Sequence, residues 1–211
     1  MQRIYEAISC NWKNIIIRGT FSLTIPLISL IYTKLNHCRG IEKILCTFID
    51  EAIPFCKFFS VPYMLWYAYV GIFLGLLCIM DKKNYIRLLI GLNVGMLLCY
   101  LIYYLFPTFV PRPSVIGSDI FSNMVRFIYE ADNPYNCFPS IHVLNSLLVA
   151  LYVNRSIKLN NTIKLISSIC SLTIILSTMV LKQHYILDVM ASTTLAYFLY
   201  FVIGKLSVNL K

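Results

Sequence analysis

One uncharged and strongly apolar stretch extends from Phe58 to Met80 and reads FFSVPYMLWYAYVGIFLGLLCIM. A helix needs about 20 predominantly apolar residues to cross the hydrocarbon core of a bilayer, so this stretch predicts a transmembrane helix. The rest of the chain has the same character: 59% of its 211 residues are hydrophobic and 13% are charged, with a mean hydropathy of +0.74. Soluble domains contain about 45–50% apolar and about 25% charged residues, so the composition indicates an integral membrane protein.

Five further apolar runs predict additional membrane spans. They are Gly19–Thr33, Leu88–Phe106, Tyr135–Asn154, Leu165–Leu181 and Tyr185–Gly204. A chain of this length fits a single core. We therefore expect residues 1–211 to form one all-α, membrane-embedded domain, a bundle of six transmembrane helices.

The distribution of Lys and Arg predicts how the bundle is oriented. The net charge is +9, and six spans would place both termini on the side that carries more of these cations. The positive-inside rule then puts the termini in the cytoplasm of a multi-pass protein, for which the plasma membrane is the expected location. No Lys/Arg run resembles a nucleic-acid-binding tract, so membrane lipids are the expected partners and nucleic acid is not.

The long loop between the third and fourth spans contains a short amphipathic segment. In Asp119–Tyr129 the side chains of Phe121, Met124, Val125 and Ile128 share one helical face. The sequence leaves two interpretations open for this helix. It either packs against the bundle or forms a lid at the membrane surface.

Two of the three histidines lie at the ends of predicted spans on the outer side. His184 and Asp188 are four residues apart, a spacing that places both side chains on one face of a helix. A carboxylate that binds one ring nitrogen fixes the tautomer and leaves the other nitrogen available as a nucleophile. The alternative is a buried pair that only satisfies its own hydrogen bonds, but ionisable groups are costly in a membrane and usually functional.

Two other outer segments carry residues suited to an anion. In Pro139-Ser140-Ile141-His142 a helix starts, and its unpaired N–H groups form an anion site to which the Ser140 hydroxyl can add a donor. Arg112 lies between two prolines, which restricts its backbone and suits a guanidinium that binds phosphate. Taken singly, these residues equally fit a helix cap and an interfacial anchor.

Together the three segments resemble the type 2 phosphatidic-acid phosphatase superfamily, which includes the sphingolipid head-group transferases. That family has three motifs. The first is a Lys, six intervening residues and Arg-Pro, and the second is Pro-Ser-Gly-His. The third is Ser-Arg, five intervening residues, His, three intervening residues and Asp. The counterparts here are Arg112-Pro113, Pro139-Ser140-Ile141-His142, and Ser177-Thr178 followed at the family spacing by His184 and Asp188. The resemblance covers residues 105–188.

Three positions depart from the family pattern. Leu105 occupies the place of the first lysine, Thr178 that of the last arginine, and Ile141 that of the glycine. Two cations that would neutralise a phosphate are therefore missing. Lys182 could replace one of them, or it could be an ordinary loop cation at the interface.

The resemblance implies a mechanism. His184 would attack phosphorus, Asp188 would orient it, and His142 would protonate the leaving alcohol, so kcat/KM should fall as rising pH deprotonates His142. The phosphate would be bound by Arg112, Ser140, Lys182 and Ser177, without a metal or another cofactor.

The expected activity is hydrolysis of a lipid phosphomonoester or diphosphate, which makes the protein a lipid phosphatase. One alternative is a lipid head-group phosphotransferase that uses the same histidines. A non-catalytic lipid-binding or transport protein is a third interpretation, which retention of both histidines and Asp188 disfavours. A second copy of the chain is a candidate partner, because Gly71 and Gly75 form a GxxxG pattern in the second span.

Overall fold

The computed structural model of the protein describes residues 12–205, and the helices and two 3-10 turns within that range form one bundle. The eight helices of this range are α1 (Trp12–Leu35, with a 3-10 turn at Phe21–Leu23), α2 (Phe48–Ala52), α3 (Ser60–Met80), α4 (Lys82–Leu105), α5 (Ile120–Ala131), α6 (Ile141–Arg155), α7 (Asn161–Val180) and α8 (Ile186–Lys205). The predicted all-α class is confirmed for the described residues.

Five of the six predicted spans are long and apolar enough to cross a membrane: α1, α3 with the turn before it, α4, α7 and α8. The remaining one, predicted over Tyr135–Asn154, begins only at Ile141 and has 15 residues. At 1.5 Å per residue its length is about 22 Å, short of a hydrocarbon core of about 30 Å. The count of six spans is therefore not confirmed. The helix starts late because the Ser140 side chain caps it by accepting a hydrogen bond from the Val143 N–H at 3.4 Å.

The short helix α6 is the centre of the bundle. It packs against α3, α4, α7 and α8, and the side chains of Leu144, Leu148, Val149 and Tyr152 are completely buried. A helix surrounded by other helices needs no lipid-facing surface. In contrast, the outer helices expose large apolar side chains, such as Leu27 (64% exposed) and Phe201 (63%), as contact with lipid tails requires.

Three connecting segments join at the end of the bundle where α1, α4 and α7 end and α3, α6 and α8 begin. Lys43 pairs with Thr108, and Phe109 pairs with Tyr135, through isolated backbone bridges. The Thr108 hydroxyl oxygen also accepts hydrogen bonds from the N–H groups of Cys137 (2.9 Å) and Phe138 (3.1 Å). These contacts fix the segment that leads into α6.

The amphipathic helix α5 covers part of this end. Its bounds, Ile120–Ala131, confirm the helix predicted over Asp119–Tyr129, and Asp119 caps it. Val125 and Ile128 are buried in a cluster with Tyr63 of α3. Of the two interpretations left open by the sequence, packing against the bundle is the one that the structure shows.

Candidate active site

His184 is positioned by the tight turn that ends α7. The Thr178 carbonyl accepts hydrogen bonds from the backbone N–H groups of Gln183 (2.9 Å) and His184 (3.1 Å). Lys182 closes the turn with a left-handed φ of 53°. The chain then enters α8, whose first turn contains Asp188, so the imidazole is anchored at a junction of two long helices.

The hydrogen bonds of His184 determine its tautomer. Nδ1 lies 3.0 Å from the Cys137 carbonyl oxygen and 3.3 Å from Asp188 Oδ2. Because a carbonyl oxygen can only accept, Nδ1 is the atom that carries the proton, and the lone pair is on Nε2. Nε2 has no hydrogen-bond partner among residues 12–205 and is available for a nucleophilic role.

Asp188 is held as firmly as the histidine. Its Oδ2 accepts the backbone N–H of Tyr185 at 2.9 Å, and its side chain is almost completely buried. The prediction from the i, i+4 spacing that Asp188 lies beside His184 is confirmed. The Cys137 carbonyl is the nearer acceptor of the two, and no sequence signal identified it.

His142 faces His184 across the site, with 5.9 Å between the ring centroids. Its ring packs against Trp66 (4.3 Å) and Tyr63 (4.7 Å) of α3. Neither of its ring nitrogens forms a hydrogen bond within the described part of the chain. The aromatic contacts fix the ring plane and leave both nitrogens free to interact with a substrate.

Arg112 is also at this end, but its guanidinium is already bonded. Nη1 donates to the carbonyl oxygens of Tyr129 (2.9 Å) and Asp132 (2.5 Å), and Nη2 donates to Gln183 Oε1 (2.7 Å). The buried Nε atom of Arg112 and the buried Nε2 atom of Gln183 have no hydrogen-bond partner in the described part of the chain. Arg112 therefore ties the end of α5 to the turn before His184, and two unsatisfied donors lie beside that turn.

The other predicted phosphate ligands are placed differently. Ser140 is completely buried at the start of α6. The Lys182 ammonium group donates to the carbonyl oxygens of Asp50 (2.7 Å) and Ile53 (2.5 Å), and the buried Ser177 hydroxyl donates to a carbonyl in its own helix. The structure thus gathers both histidines, Asp188, Arg112 and Ser140 at one end, whereas the Lys182 and Ser177 side chains are engaged elsewhere.

The two positions at which the family pattern has a cation, Leu105 and Thr178, carry no charge here. Leu105 is 69% exposed on the outer surface of α4, and the buried Thr178 hydroxyl donates to the Ile175 carbonyl within α7. Neither side chain bonds to the histidines.

Two cavities meet at the site. The first, about 360 Å³, is lined by both histidines, several aromatic side chains and Asp132. The second, about 400 Å³, lies between α3 and α5 and is mostly apolar, with Met64, Phe127 and Ile128 in its wall. His142 and Asp132 line both cavities. A substrate could therefore place a polar part in the first cavity and an apolar part in the second, with the bond between the two parts next to His142.

Asp132 was not singled out from the sequence. Its Oδ1 atom accepts hydrogen bonds from the Tyr32 hydroxyl (2.6 Å) and from Asn36 Nδ2 (2.7 Å), both on α1. Burial raises the pKa of this carboxyl above its ordinary value, although the hydrogen bond from Tyr32 and the nearby charges of Arg112 and His184 oppose the shift. Its contacts lie about a hundred residues away in the chain, which is why no local pattern pointed to it.

The fold and site together define a helical integral membrane protein with a pair of facing histidines at one end of its bundle. A sequence profile described as the PAP2 superfamily matches residues 38–202. The chain therefore belongs to the type 2 phosphatidic-acid phosphatase superfamily, as its three motifs predicted. Membership supports, at the level of the family, a phosphoric-ester hydrolase that acts on lipid phosphates. No curated protein matches the chain.

Proposed function

We propose that this protein cleaves a phosphate ester of a membrane lipid through a phosphohistidine on His184, with water as the final acceptor. The observation that carries the proposal is the state of the His184 ring. Its Nδ1 proton is directed to the Cys137 carbonyl and Asp188, and its Nε2 lone pair is unengaged. His142, 5.9 Å away between ring centroids, supplies the second group that the reaction needs.

In the first step Nε2 of His184 attacks phosphorus, and the P–O bond to the lipid alcohol breaks. The leaving oxygen takes a proton from His142, and Asp188 stabilises the positive charge that develops on the His184 ring. In the second step His142, now neutral, removes a proton from a water molecule that attacks phosphorus. The P–N bond breaks, the phosphate is released and His184 regains its lone pair.

The equatorial oxygens of phosphorus need hydrogen-bond donors in the transition state. The Nε group of Arg112, which is unpaired among the described residues, and the first-turn N–H groups of α6, the helix that Ser140 caps, are the donors that we assign to them. Lys182 and Ser177 would have to break their present hydrogen bonds to take part. We propose that no metal takes part, so the activity should persist in excess EDTA.

Head-group transfer is the second candidate, and the charges at the site favour its substrate, a phosphodiester, over a phosphomonoester. Lys182 is bonded to two carbonyl oxygens, Arg112 is bonded on both Nη atoms, and two carboxylates, Asp132 and Asp188, lie close to the histidines. A phosphodiester carries one negative charge where a phosphomonoester carries up to two. It therefore requires less cationic compensation.

We also propose that the protein resides in the plasma membrane with its termini in the cytoplasm and the histidines at the extracytoplasmic face. A homodimer through α3 is a further proposal. A Cβ added at Gly71 or Gly75 would meet no atom of residues 12–205 within 4 Å, so this GxxxG faces away from the described bundle, where a second helix could approach closely.

The test uses the purified protein in detergent micelles with a panel of lipid phosphomonoesters, diphosphates and phosphodiesters. Release of phosphate and of lipid products is followed together, with and without acceptor alcohols. We expect His184→Ala to abolish turnover and His37→Ala to retain it, since His37 is exposed in the loop after α1. Equal activity of the wild type and His184→Ala would refute the proposal.

A further inference from the structure

Five aromatic side chains, besides the two histidines, line the histidine cavity. Tyr32 of α1 and Tyr100 and Tyr103 of α4 lie with ring centroids 6.0–6.1 Å apart, and Trp66 and Tyr67 of α3 complete the lining. Aromatic faces attract cations, and cavities with several such rings are the usual binding sites of ammonium groups. The rings alone equally fit ordinary packing, so the charge of the cavity decides between the two.

The polar side of this cavity is rich in acceptors. Tyr32 and Asn36 both donate to Oδ1 of Asp132, which leaves its Oδ2 atom without a hydrogen-bond partner within residues 12–205. Asn36 Nδ2 is committed to that carboxylate, and Asn136 Nδ2 is committed to the Leu35 carbonyl.

Carboxylates and carbonyls only accept hydrogen bonds, so the atom of each side-chain amide that faces them is the nitrogen. The amide oxygens of Asn36 and Asn136 are buried and have no hydrogen-bond partner among residues 12–205. An unpaired carboxylate oxygen and two unpaired amide oxygens make this wall electronegative. A buried electronegative wall is costly unless a positive group compensates it. Arg112 contacts the Asp132 main-chain carbonyl but forms no ion pair with its carboxylate within the described residues.

The positions of the two cavities match the parts of a phosphodiester lipid. His184 lines only the cavity that contains the rings and the acceptors, whereas His142 lines this cavity and the apolar one. A head group held in the first cavity would keep its phosphorus beside His184. The diacylglycerol part would then leave through the apolar cavity, where His142 can protonate its oxygen.

We propose that the cavity binds the ammonium group of a zwitterionic phosphodiester lipid, with Asp132 as the residue that selects it. This inference rests on the proposed function and specifies its substrate class. His184 Nε2 attacks phosphorus, the bond to the glycerol oxygen breaks, and that oxygen takes the proton of His142. The phosphoryl group with its ammonium alcohol remains on His184 until water or an acceptor alcohol attacks.

The experiment compares kcat/KM for phosphatidylethanolamine, phosphatidylcholine, phosphatidylglycerol and phosphatidate in mixed micelles. The first two carry an ammonium group, the third is a diester without one, and the fourth is a monoester. We expect the wild type to prefer both ammonium lipids to phosphatidylglycerol and to phosphatidate. Asp132→Asn should reduce the ratio of phosphatidylethanolamine to phosphatidylglycerol by about tenfold, as loss of one charge-assisted contact predicts.

Asp119→Asn is the matched control, because Asp119 pairs with Lys57 on the surface and lies in neither cavity. It removes the same charge and should leave the ratio unchanged. In a second measurement, phosphoethanolamine should raise the thermal unfolding midpoint of the wild type more than glycerol phosphate does. Asp132→Asn should lose this difference.

A wild type that prefers phosphatidate or phosphatidylglycerol, or an unchanged ratio in Asp132→Asn, would overturn the inference. Either result would leave the proposed function intact, provided that His184→Ala abolishes the turnover. If no lipid is cleaved, the proposed function fails. The thermal measurement then decides the inference alone, and an equal shift with both phosphate esters would refute it.

Discussion

Substitution of Asp188 by Asn should lower kcat only moderately, because Asp188 is one of two acceptors for the His184 ring. The Cys137 carbonyl is closer to Nδ1 (3.0 Å) than Asp188 Oδ2 is (3.3 Å). In Asp188→Asn the Tyr185 N–H, which donates to Oδ2 at 2.9 Å, would keep the amide oxygen on the histidine side. Both acceptors of the Nδ1 proton therefore survive the change, and only the negative charge is lost.

The magnitude follows from that loss. A hydrogen bond to a charged group contributes about 1.5–3 kcal/mol, and about 1.4 kcal/mol corresponds to a factor of ten in rate. We therefore expect kcat to fall by about 10- to 100-fold. Where an aspartate alone fixes the tautomer of a catalytic histidine, the same substitution costs about 10⁴-fold.

The assay is single-turnover formation of the phosphoenzyme with a labelled lipid substrate, compared among the wild type, Asp188→Asn and His184→Ala. His184→Ala should form no phosphoenzyme. A decrease of 10⁴-fold in Asp188→Asn would refute the role that we give to the Cys137 carbonyl. An unchanged rate would show that Asp188 does not support the reaction.

Three further predictions address other parts of the site. Arg112→Lys should reduce kcat/KM by at least about tenfold and lower the thermal midpoint, because an ammonium group cannot replace the three hydrogen bonds of the guanidinium. Equal kcat/KM and thermal midpoint in the wild type and Arg112→Lys would contradict this prediction. Lys182→Met should lower the thermal midpoint, since the Lys182 ammonium group joins the turn before α8 to the α2 segment. A decrease in kcat/KM of more than about tenfold would contradict this structural role and show that Lys182 binds the phosphate. Burial raises the pKa of Asp132 in the folded protein. The protonated carboxyl therefore contributes to the free energy of unfolding below the ordinary aspartate pKa of about 3.9, and this contribution is lost as pH rises through the folded-state pKa. The thermal midpoint of the wild type relative to Asp132→Asn should therefore fall from about pH 4 to pH 8, and a rise over that range would refute the sign. Asp119 is the control: the hydrogen bond from Lys57 lowers its pKa, so its contribution is fully present above the ordinary aspartate pKa of about 3.9, and the midpoint relative to Asp119→Asn should stay constant from about pH 4 to pH 8.

Local patterns predicted the elements of this fold that depend on neighbouring residues. Five of the six spans predicted from the apolar runs are long helices, and the spacing of Val125 and Ile128 predicted the buried face of α5. The i, i+4 spacing of His184 and Asp188 predicted their contact. Each of these features is set by helical periodicity, which a single sequence displays.

The contacts that the sequence did not predict all join distant segments. The Cys137 carbonyl reaches His184 because Thr108 holds the loop before α6 in place. Asp132 lies beside the histidines because α1 binds it through Tyr32. The late start of α6 also depends on this loop, whose pairing with residues 108–110 keeps residues 134–138 out of the helix.

The central claim is that His184 becomes phosphorylated during turnover, and trapping of the intermediate tests it most directly. The wild type is mixed with substrate labelled at phosphorus, quenched in alkali to preserve phosphohistidine, and digested for mass spectrometry. We predict the label on the peptide that contains His184, at the same level in His37→Ala and absent in His184→Ala. Label on another residue, or product formation by wild-type protein that never becomes labelled, would contradict the account.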